Sequence, residues 1–271
     1  MTVFSLARSR SQEVFVCLEF HSDASYNGGR NLAGVVIIVR PYVVMASVIR
    51  RGGQNVNVAG TRVFFQVLRR NKAWLLPHLR VQHVGEVDWR ALANAGFKGC
   101  IFDKDNTITA PYAMQAAPGG VEEGLARCME AFEGQVAVLS NSAGLKQFDP
   151  DGKEAEAIER ALGIPVLRHA KKKPDGDRQE LEEYFNCKVE QLVMVGDRLL
   201  TDMVYGNRLG MLTIMPEPIT TRGEPVTVKW SRALERRLDR RYCRKGIKPL
   251  AHPLVPDASM LGSFKLQSVG K

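Results

Sequence analysis

The sequence predicts an α/β fold built on a doubly wound, mostly parallel sheet. Three observations predict it. Short apolar runs of strand length recur at 100–102, 136–139 and 192–195. Helical patterns of about ten residues alternate with those runs, as crossover connections between parallel strands require. Each run also breaks off into polar residues, Asp103, Ser140 and Gly196-Asp197, at the strand ends where open α/β sheets bind ligands.

Taken in order, the chain begins unlike the rest of itself. Arg8 and Arg10 precede the first acid, and serines are frequent, a weak likeness to an organelle transit segment that Glu13, Glu19 and Asp23 count against. The apolar runs 32–39 and 43–49 are separated by Arg40-Pro41. A spanning helix needs about 20 uninterrupted apolar residues, so a transmembrane helix ranks below a targeting or poorly structured extension. Residues 1–55 are therefore expected to be an N-terminal extension, concerned with targeting or membrane association. The basic, aromatic-bearing piece 63–68, followed by Trp74-Leu75-Leu76, suits either a membrane interface or a helix packed on the domain's own core.

Residues 56–220 form the expected catalytic domain. After the strand ending at Asp103, residues 110–120 are a short flap-like connection rich in Pro, Ala and Gly. A helix over 121–132 feeds the strand ending at Ser140. Turn chemistry at 148–152 precedes a helix over 153–162 that Gly163 stops, and 165–167 reads as a further strand. A helix over 177–185, the strand 192–195, a helix over 202–209 and the apolar run 211–214 complete the alternation. The intervals from Asp103 to Ser140 and from Ser140 to Lys173 are too short for a large inserted cap, so the site is expected to be open.

Residues 221–271 form a basic C-terminal extension. Within 227–245, eight Lys and Arg face only Glu235 and Asp239, while Trp230, Leu234, Leu238 and Tyr242 recur at four-residue steps. Membrane-surface attachment, nucleic-acid contact and an ordinary helix packed by that stripe all fit this pattern, with membrane attachment preferred.

Composition sets outer limits. At 271 residues and 45% hydrophobic content the chain can bury one substantial core, and its net charge of +9 favours anionic partners. Five cysteines, none in a C-x-x-C pair, argue against a disulfide framework or zinc site and for a reducing compartment.

The chemistry lies in Asp103 and Asp105. Two acids at i and i+2 on one strand end repel each other unless a cation or shared proton compensates, which points to a metal. Asn106 suits the left-handed turn that must follow. Alone, such a string also fits a loop or a helix cap. With Ser140, Lys173 and the Asp197/Asp202 pair following in that order, it resembles the haloacid-dehalogenase (HAD) superfamily of phosphatases. That resemblance implies Asp103 as nucleophile and Mg2+ held by Asp103, the backbone carbonyl of Asp105, and Asp197. It implies Asp105 as general acid and base, Ser140 as a phosphoryl hydrogen-bond donor, and Lys173 as the positive charge beside phosphate and nucleophile. Thr107, Asn141 and Asp202 take supporting places; His169 stays outside the set.

A narrower resemblance follows from Phe102-Asp103-Lys104-Asp105-Asn106-Thr107, Ser140-Asn141-Ser142-Ala143-Gly144, the segment 163–174 ending Lys172-Lys173-Pro174, and the segment 196–202. These look like the eukaryotic mitochondrial phosphatidylglycerophosphatase family, in its plant and algal form. That family removes the terminal phosphate of phosphatidylglycerophosphate to give phosphatidylglycerol, the precursor of cardiolipin. The resemblance implies a phospholipid substrate, an anionic membrane surface as partner, no nucleic acid, and the matrix face of the mitochondrial inner membrane, with the plastid as alternative. Two other readings stay open: a phosphatase of this fold acting on a phosphoprotein, nucleic-acid end or soluble ester, and a non-catalytic membrane- or RNA-binding protein.

Overall fold

A computed structural model describes the backbone at 14–19, 33–39, 42–48, 226 and 227, and whole residues at 71–222, 224 and 228–266. Two compact units result and are described separately. In the first, β1 (Val14–Glu19), β2 (Ala33–Val39) and β3 (Tyr42–Val48) form an antiparallel sheet in the order β1-β2-β3. Val39 pairs with Tyr42 at the end of the β2–β3 ladder. The run read as a spanning helix or loose extension is therefore two paired strands, in keeping with its Val and Ile content. Among the described residues no helix is long and apolar enough to cross a membrane. The amphipathic piece at 63–68 and the targeting-like residues 1–13 lie outside the described residues.

The second unit holds a five-stranded parallel sheet, β4 (Leu79–Val81), β5 (Gly99–Phe102), β6 (Val136–Val138), β7 (Leu192–Val195) and β8 (Leu212–Pro216), in the order β4-β8-β7-β5-β6. This is the doubly wound α/β sheet the alternation predicts. Side chains of successive residues point to opposite faces. Cys100, Phe102, Val193 and Val195 therefore enter one core, with Trp89, Leu125 and Phe132, while Ile101, Leu192 and Met194 enter the other, with Leu181, Phe185 and Tyr205. The helices on the two sides are α1 (Trp89–Asn94), α2 (Val121–Ala131), α3 (Lys153–Leu162), α4 (Arg178–Phe185) and α5 (Val204–Leu209). Full burial of each large side chain in these cores contributes about 1.5–3 kcal/mol.

Local signals explain most boundaries. Gly163 closes α3 in the left-handed conformation at φ 68°, and the Asp177 carboxylate accepts the Gln179 N–H at the start of α4. The segment 165–167 differs from expectation: it makes one bridge, Val138 to Val166, at the sheet edge rather than a strand. Pro165 offers no N–H, so only its carbonyl and the Leu167 N–H reach β6.

The C-terminal residues belong to the second unit's core. Val255 and Phe264 pack with Trp89 and Phe97, and Leu266 donates its N–H to the Glu86 carbonyl at 2.8 Å. In α6 (Val226–Arg244), Leu238 and Tyr242 pack against Leu75, Leu76, Leu199 and Met203. Steps of four residues advance 40° around a helix. The four-residue stripe thus drifts off the buried face, leaving Leu234 half-buried and Trp230 72% exposed. A short helix, α7 (Met260–Ser263), ends the fold. The cysteines at 100, 128, 187 and 243 are free thiols.

One buried pair gives a pH prediction. His78 and His252 meet edge to face, with ring centroids 5.7 Å apart, and His78 Nδ1 accepts the Thr213 N–H at 3.1 Å. Burial, helped by His252, lowers the His78 pKa from 6.5 to about 4. The unfolded chain therefore takes up this proton first, and stability contributed above pH 6.5 is lost as pH falls toward 4, by up to about 3 kcal/mol. NMR titration of the His78 ring should show it neutral well below pH 6; a midpoint near 6.5 would contradict the packing.

Candidate active site

The site is assembled by strand register. Phe102 pairs with Val138 on one side and Val195 on the other, so β5, β6 and β7 end level. The chain leaving each end is tied to its neighbour: Asp103 N–H to the Val195 carbonyl, and Leu139 N–H to the Phe102 carbonyl, both at 2.8 Å. Asp103, Ser140 and Asp197 consequently emerge along one edge. After Asp103 the chain turns through Asn106 at φ 63°, and the Lys104 carbonyl accepts the N–H groups of Ile108 and Thr109 at 3.1 Å. Asn, with its short polar side chain, tolerates that left-handed conformation.

Lys173 joins the parts. Its Nζ lies 2.6 Å from Asp103 Oδ1 and 2.7 Å from Asp202 Oδ1, and its side chain is 1% exposed. The Asp103 contact is an aligned hydrogen bond; the Asp202 contact is an ion pair off the hydrogen-bond line. Burial alone would lower the Lys173 pKa, but the two carboxylates outweigh it and hold the ammonium charged above its ordinary range. Asn141 fixes the lysine's backbone by accepting the Lys173 N–H at 2.9 Å. Ser140 is buried beside it, its Oγ accepting the Ser142 N–H at 3.2 Å. That loop needs Gly144, at φ 74°, because a Cβ there would come within 2.4 Å of the Leu167 carbonyl oxygen.

Asp103, Asp197 and Asp202 each offer an oxygen, and these lie within 4.8 Å of one another. Gly196 permits the approach, since a Cβ on it would sit 2.5 Å from the Asp202 Cβ. Burial raises the Asp103 carboxyl to about 6, against the pull of Lys173, and raises Asp197 to about 7, against the pull of Arg232. Raised carboxyls are ones whose ionised forms have less positive charge around them than they could use. Three converging carboxylate oxygens are the donor set of a hard divalent cation such as Mg2+, which would reverse those shifts. The residues present fit such an ion.

The Asp105 carboxylate is not in this cluster. Its Oδ1 accepts from Lys104 Nζ at 2.7 Å and from the Tyr112 N–H at 3.2 Å. Asp197 instead meets a group from the C-terminal helix: Arg232, which is 6% exposed, donates through Nη2 to Asp197 Oδ2 and through Nε to Glu224 Oε1 at 2.8 Å. Glu224 Oε1 also accepts from Asn106 Nδ2 at 3.0 Å, tying this arm to the turn that follows Asp103. Arg198 anchors the same helix through Glu235 and Ser231.

The profile of the family described as mitochondrial PGP phosphatase matches residues 58–220. The chain belongs to that family. It is 48% identical over 233 residues to the chloroplastic phosphatidylglycerophosphate phosphatase 1 of Chlamydomonas reinhardtii, covering 86% of each chain. It is 45% identical over 205 residues to the chloroplastic/mitochondrial phosphatidylglycerophosphate phosphatase 1 of Arabidopsis thaliana, covering 76% of this chain and 59% of that one. A mitochondrial phosphatidylglycerophosphatase of Saccharomyces cerevisiae is 32% identical over 117 residues, 42% of this chain and 63% of the other.

Within this PGP phosphatase fold, Asp103, Ser140, Asn141, Lys173, Asp197 and Asp202 come together as sequence order along the strands anticipates. Asp202 stands further in than a supporting place implies, as both Lys173's partner and a member of the acid cluster. Thr107 Oγ1 is buried with no hydrogen-bond partner among the described residues, so the structure gives it no bond to Asp105. Sequence reasoning missed Lys104, Glu224 and Arg232. Arg232 was hidden in a basic run; the available signal was that Arg232, Glu235, Leu238 and Tyr242 share a helical face at steps of three, three and four.

Proposed function

We propose that this chain hydrolyses the terminal phosphate monoester of phosphatidylglycerophosphate to phosphatidylglycerol, the step that feeds cardiolipin synthesis. The observation that carries the reading is the Asp103–Lys173–Asp202 bridge at aligned strand ends, in a chain of this family.

In the proposed mechanism an Asp103 carboxylate oxygen attacks phosphorus in line, the ester P–O bond breaks, and an aspartyl phosphate forms. Asp105 gives the departing alkoxide its proton, then takes one from the water that cleaves the acyl phosphate, releasing inorganic phosphate and regenerating Asp103. Both hydrogen bonds to the Asp105 carboxylate end on Oδ1, which leaves Oδ2 to carry that proton. Ser140 donates to a phosphoryl oxygen, and Lys173 offsets the charge of nucleophile and phosphate. Asp103, Asp197 and the Asp105 backbone carbonyl would hold Mg2+, with Asp202 beside them. When bound, the cation supplies the charge neutralisation that lets an anion approach an anion.

The lipid assignment is supported by an open site, since the connections from Phe102 to α2 and from β6 to Lys173 carry no inserted domain. Tyr112, beside Asp105, is 82% exposed, and Met114 on the same connection is 39% exposed, apolar surface suited to a bilayer-borne headgroup. Arg236, Arg240 and Arg244 on the outer face of α6 are exposed and would meet anionic lipid. The organelle reading is the matrix face of the mitochondrial inner membrane, with the plastid as alternative; the name of the Chlamydomonas relative favours the plastid.

Purified protein should release phosphate from phosphatidylglycerophosphate in mixed micelles, in preference to phosphopeptides, 5′-phosphorylated oligonucleotides and sugar phosphates. Chelation should cut the rate at least about 100-fold, with recovery on adding Mg2+. Preference for a water-soluble ester would remove the lipid assignment, and chelator-resistant turnover would remove the cation.

A further inference from the structure

Arg232 is a buried cation of α6 to which the mechanism gives no task. It is buried at 6% exposure between two acids, Asp197 of the catalytic cluster and Glu224 of the arm that follows β8. A guanidinium and a divalent ion draw on the same kind of oxygen, and both cannot hold one carboxylate at full strength. Asp197 therefore has two suitors, one built into the chain.

The surroundings also offer the guanidinium another position. Glu224 bonds Arg232 Nε through Oε1 alone, while its Oε2 is buried and has no hydrogen-bond partner among the described residues. A planar guanidinium swung off Asp197 can meet both Glu224 oxygens in a bidentate pair, the geometry arginine favours. Asn106 Nδ2, donating to Glu224 Oε1 at 3.0 Å, holds that acceptor in place. Arg232 Nη1 also donates to the Asp197 backbone carbonyl at 3.4 Å, a long contact that the exchange would give up.

We propose that Arg232 is a positioning residue that competes with the catalytic divalent cation for Asp197, and that Glu224 receives its guanidinium when the cation binds. The inference rests on the proposed function's reading that Asp103 and Asp197 are among the cation's holders. It makes cation affinity a property tuned by the C-terminal helix, in opposition to a role in which Arg232 merely orients Asp197. The two roles differ in sign: removing a competitor tightens cation binding, and removing an orienting group loosens it.

The test is calorimetric titration of Mg2+ into the full chain without substrate, using wild type, Arg232→Met, Glu224→Gln, Arg236→Met and Asp197→Asn. Arg232→Met should bind Mg2+ roughly tenfold more tightly, the scale of one charge-assisted hydrogen bond. Glu224→Gln keeps the Asn106 contact but weakens the receiving acid, so Mg2+ binding should loosen several-fold. Arg236→Met removes an equal charge one turn along α6 from an exposed side chain, without touching the Asp197 carboxylate, and should change affinity far less.

Unchanged or weaker binding in Arg232→Met overturns the proposal, as does equal tightening in Arg236→Met, which would reduce the effect to net charge. Should Arg232→Met fail to fold, Glu224→Gln decides, and wild-type affinity there overturns the exchange. Asp197→Asn separates this inference from the reading beneath it. Wild-type affinity in that variant removes the cation site itself, and the competition with it. Loss of binding in that variant, with no change in Arg232→Met, removes the competition alone.

Discussion

Asp103→Asn should abolish steady-state phosphate release, by on the order of 10³-fold or more, because the amide cannot form the acyl phosphate. The fold should survive. Asn is nearly isosteric, Lys173 keeps its ion pair with Asp202 at 2.7 Å, and one of three mutually repelling acids is removed. Melting should therefore stay close to wild type while phosphate release, followed with phosphatidylglycerophosphate in micelles, disappears. Acid-quenched wild-type enzyme should carry an acid-stable, base-labile phosphoryl group that the variant lacks. Turnover by the variant above a few per cent of wild type would end the assignment of Asp103 as nucleophile.

Lys173→Met carries the second large effect, and it strikes stability and activity together. The lysine side chain is 1% exposed between Asp103 and Asp202, whose own side chains are 17% and 1% exposed. Removing the cation leaves two buried carboxylates facing each other, and breaking a buried pair in this way costs about 3–5 kcal/mol. For a domain of this size that lowers the melting temperature by roughly 10 °C. Millimolar Mg2+ should recover part of the loss by supplying positive charge to the same acids. Arginine should not rescue activity, because a planar guanidinium does not fit the volume of a compact ammonium. Near-wild-type melting of Lys173→Met would mean that the buried bridge carries little of the structure, and the site would have to be redrawn without it.

Much of this site is legible in one dimension because parallel sheets convert order into place. A short apolar run must be a buried strand, the residue after it must leave at the C-terminal edge, and neighbouring strands of one sense share that edge. Asp103, Ser140 and Asp197 follow from that rule without reference to distance. Lys173 does not, since it sits on a loop; only its place beside Pro174 marked it among three consecutive lysines.

The C-terminal segment was harder to read for a physical reason. Seven Lys and Arg in one amphipathic helix look alike in sequence, and burial of a cation depends on acids supplied from elsewhere in the chain. Arg232 is buried because Asp197 and Glu224 meet it, 35 and 8 residues away, whereas Arg236, one turn on, is exposed. The four-residue stripe through Trp230 and Leu234 was the more hydrophobic pattern, yet the helix turned its Arg232–Glu235–Leu238–Tyr242 face inward to satisfy ion pairs as well as packing.

By itself, then, the order of residues determined the parallel α/β sheet and its polar strand ends, because backbone periodicity and local turn chemistry are written residue by residue, while its motifs resembled the family and marked the acids and lysine expected to work together. Tertiary structure alone decided that the apolar run before residue 50 is a pair of strands, that residues beyond 230 complete the core, and that Arg232 reaches Asp197. Each of those outcomes turns on which distant group lies opposite, and no local pattern encodes a partner's position in space.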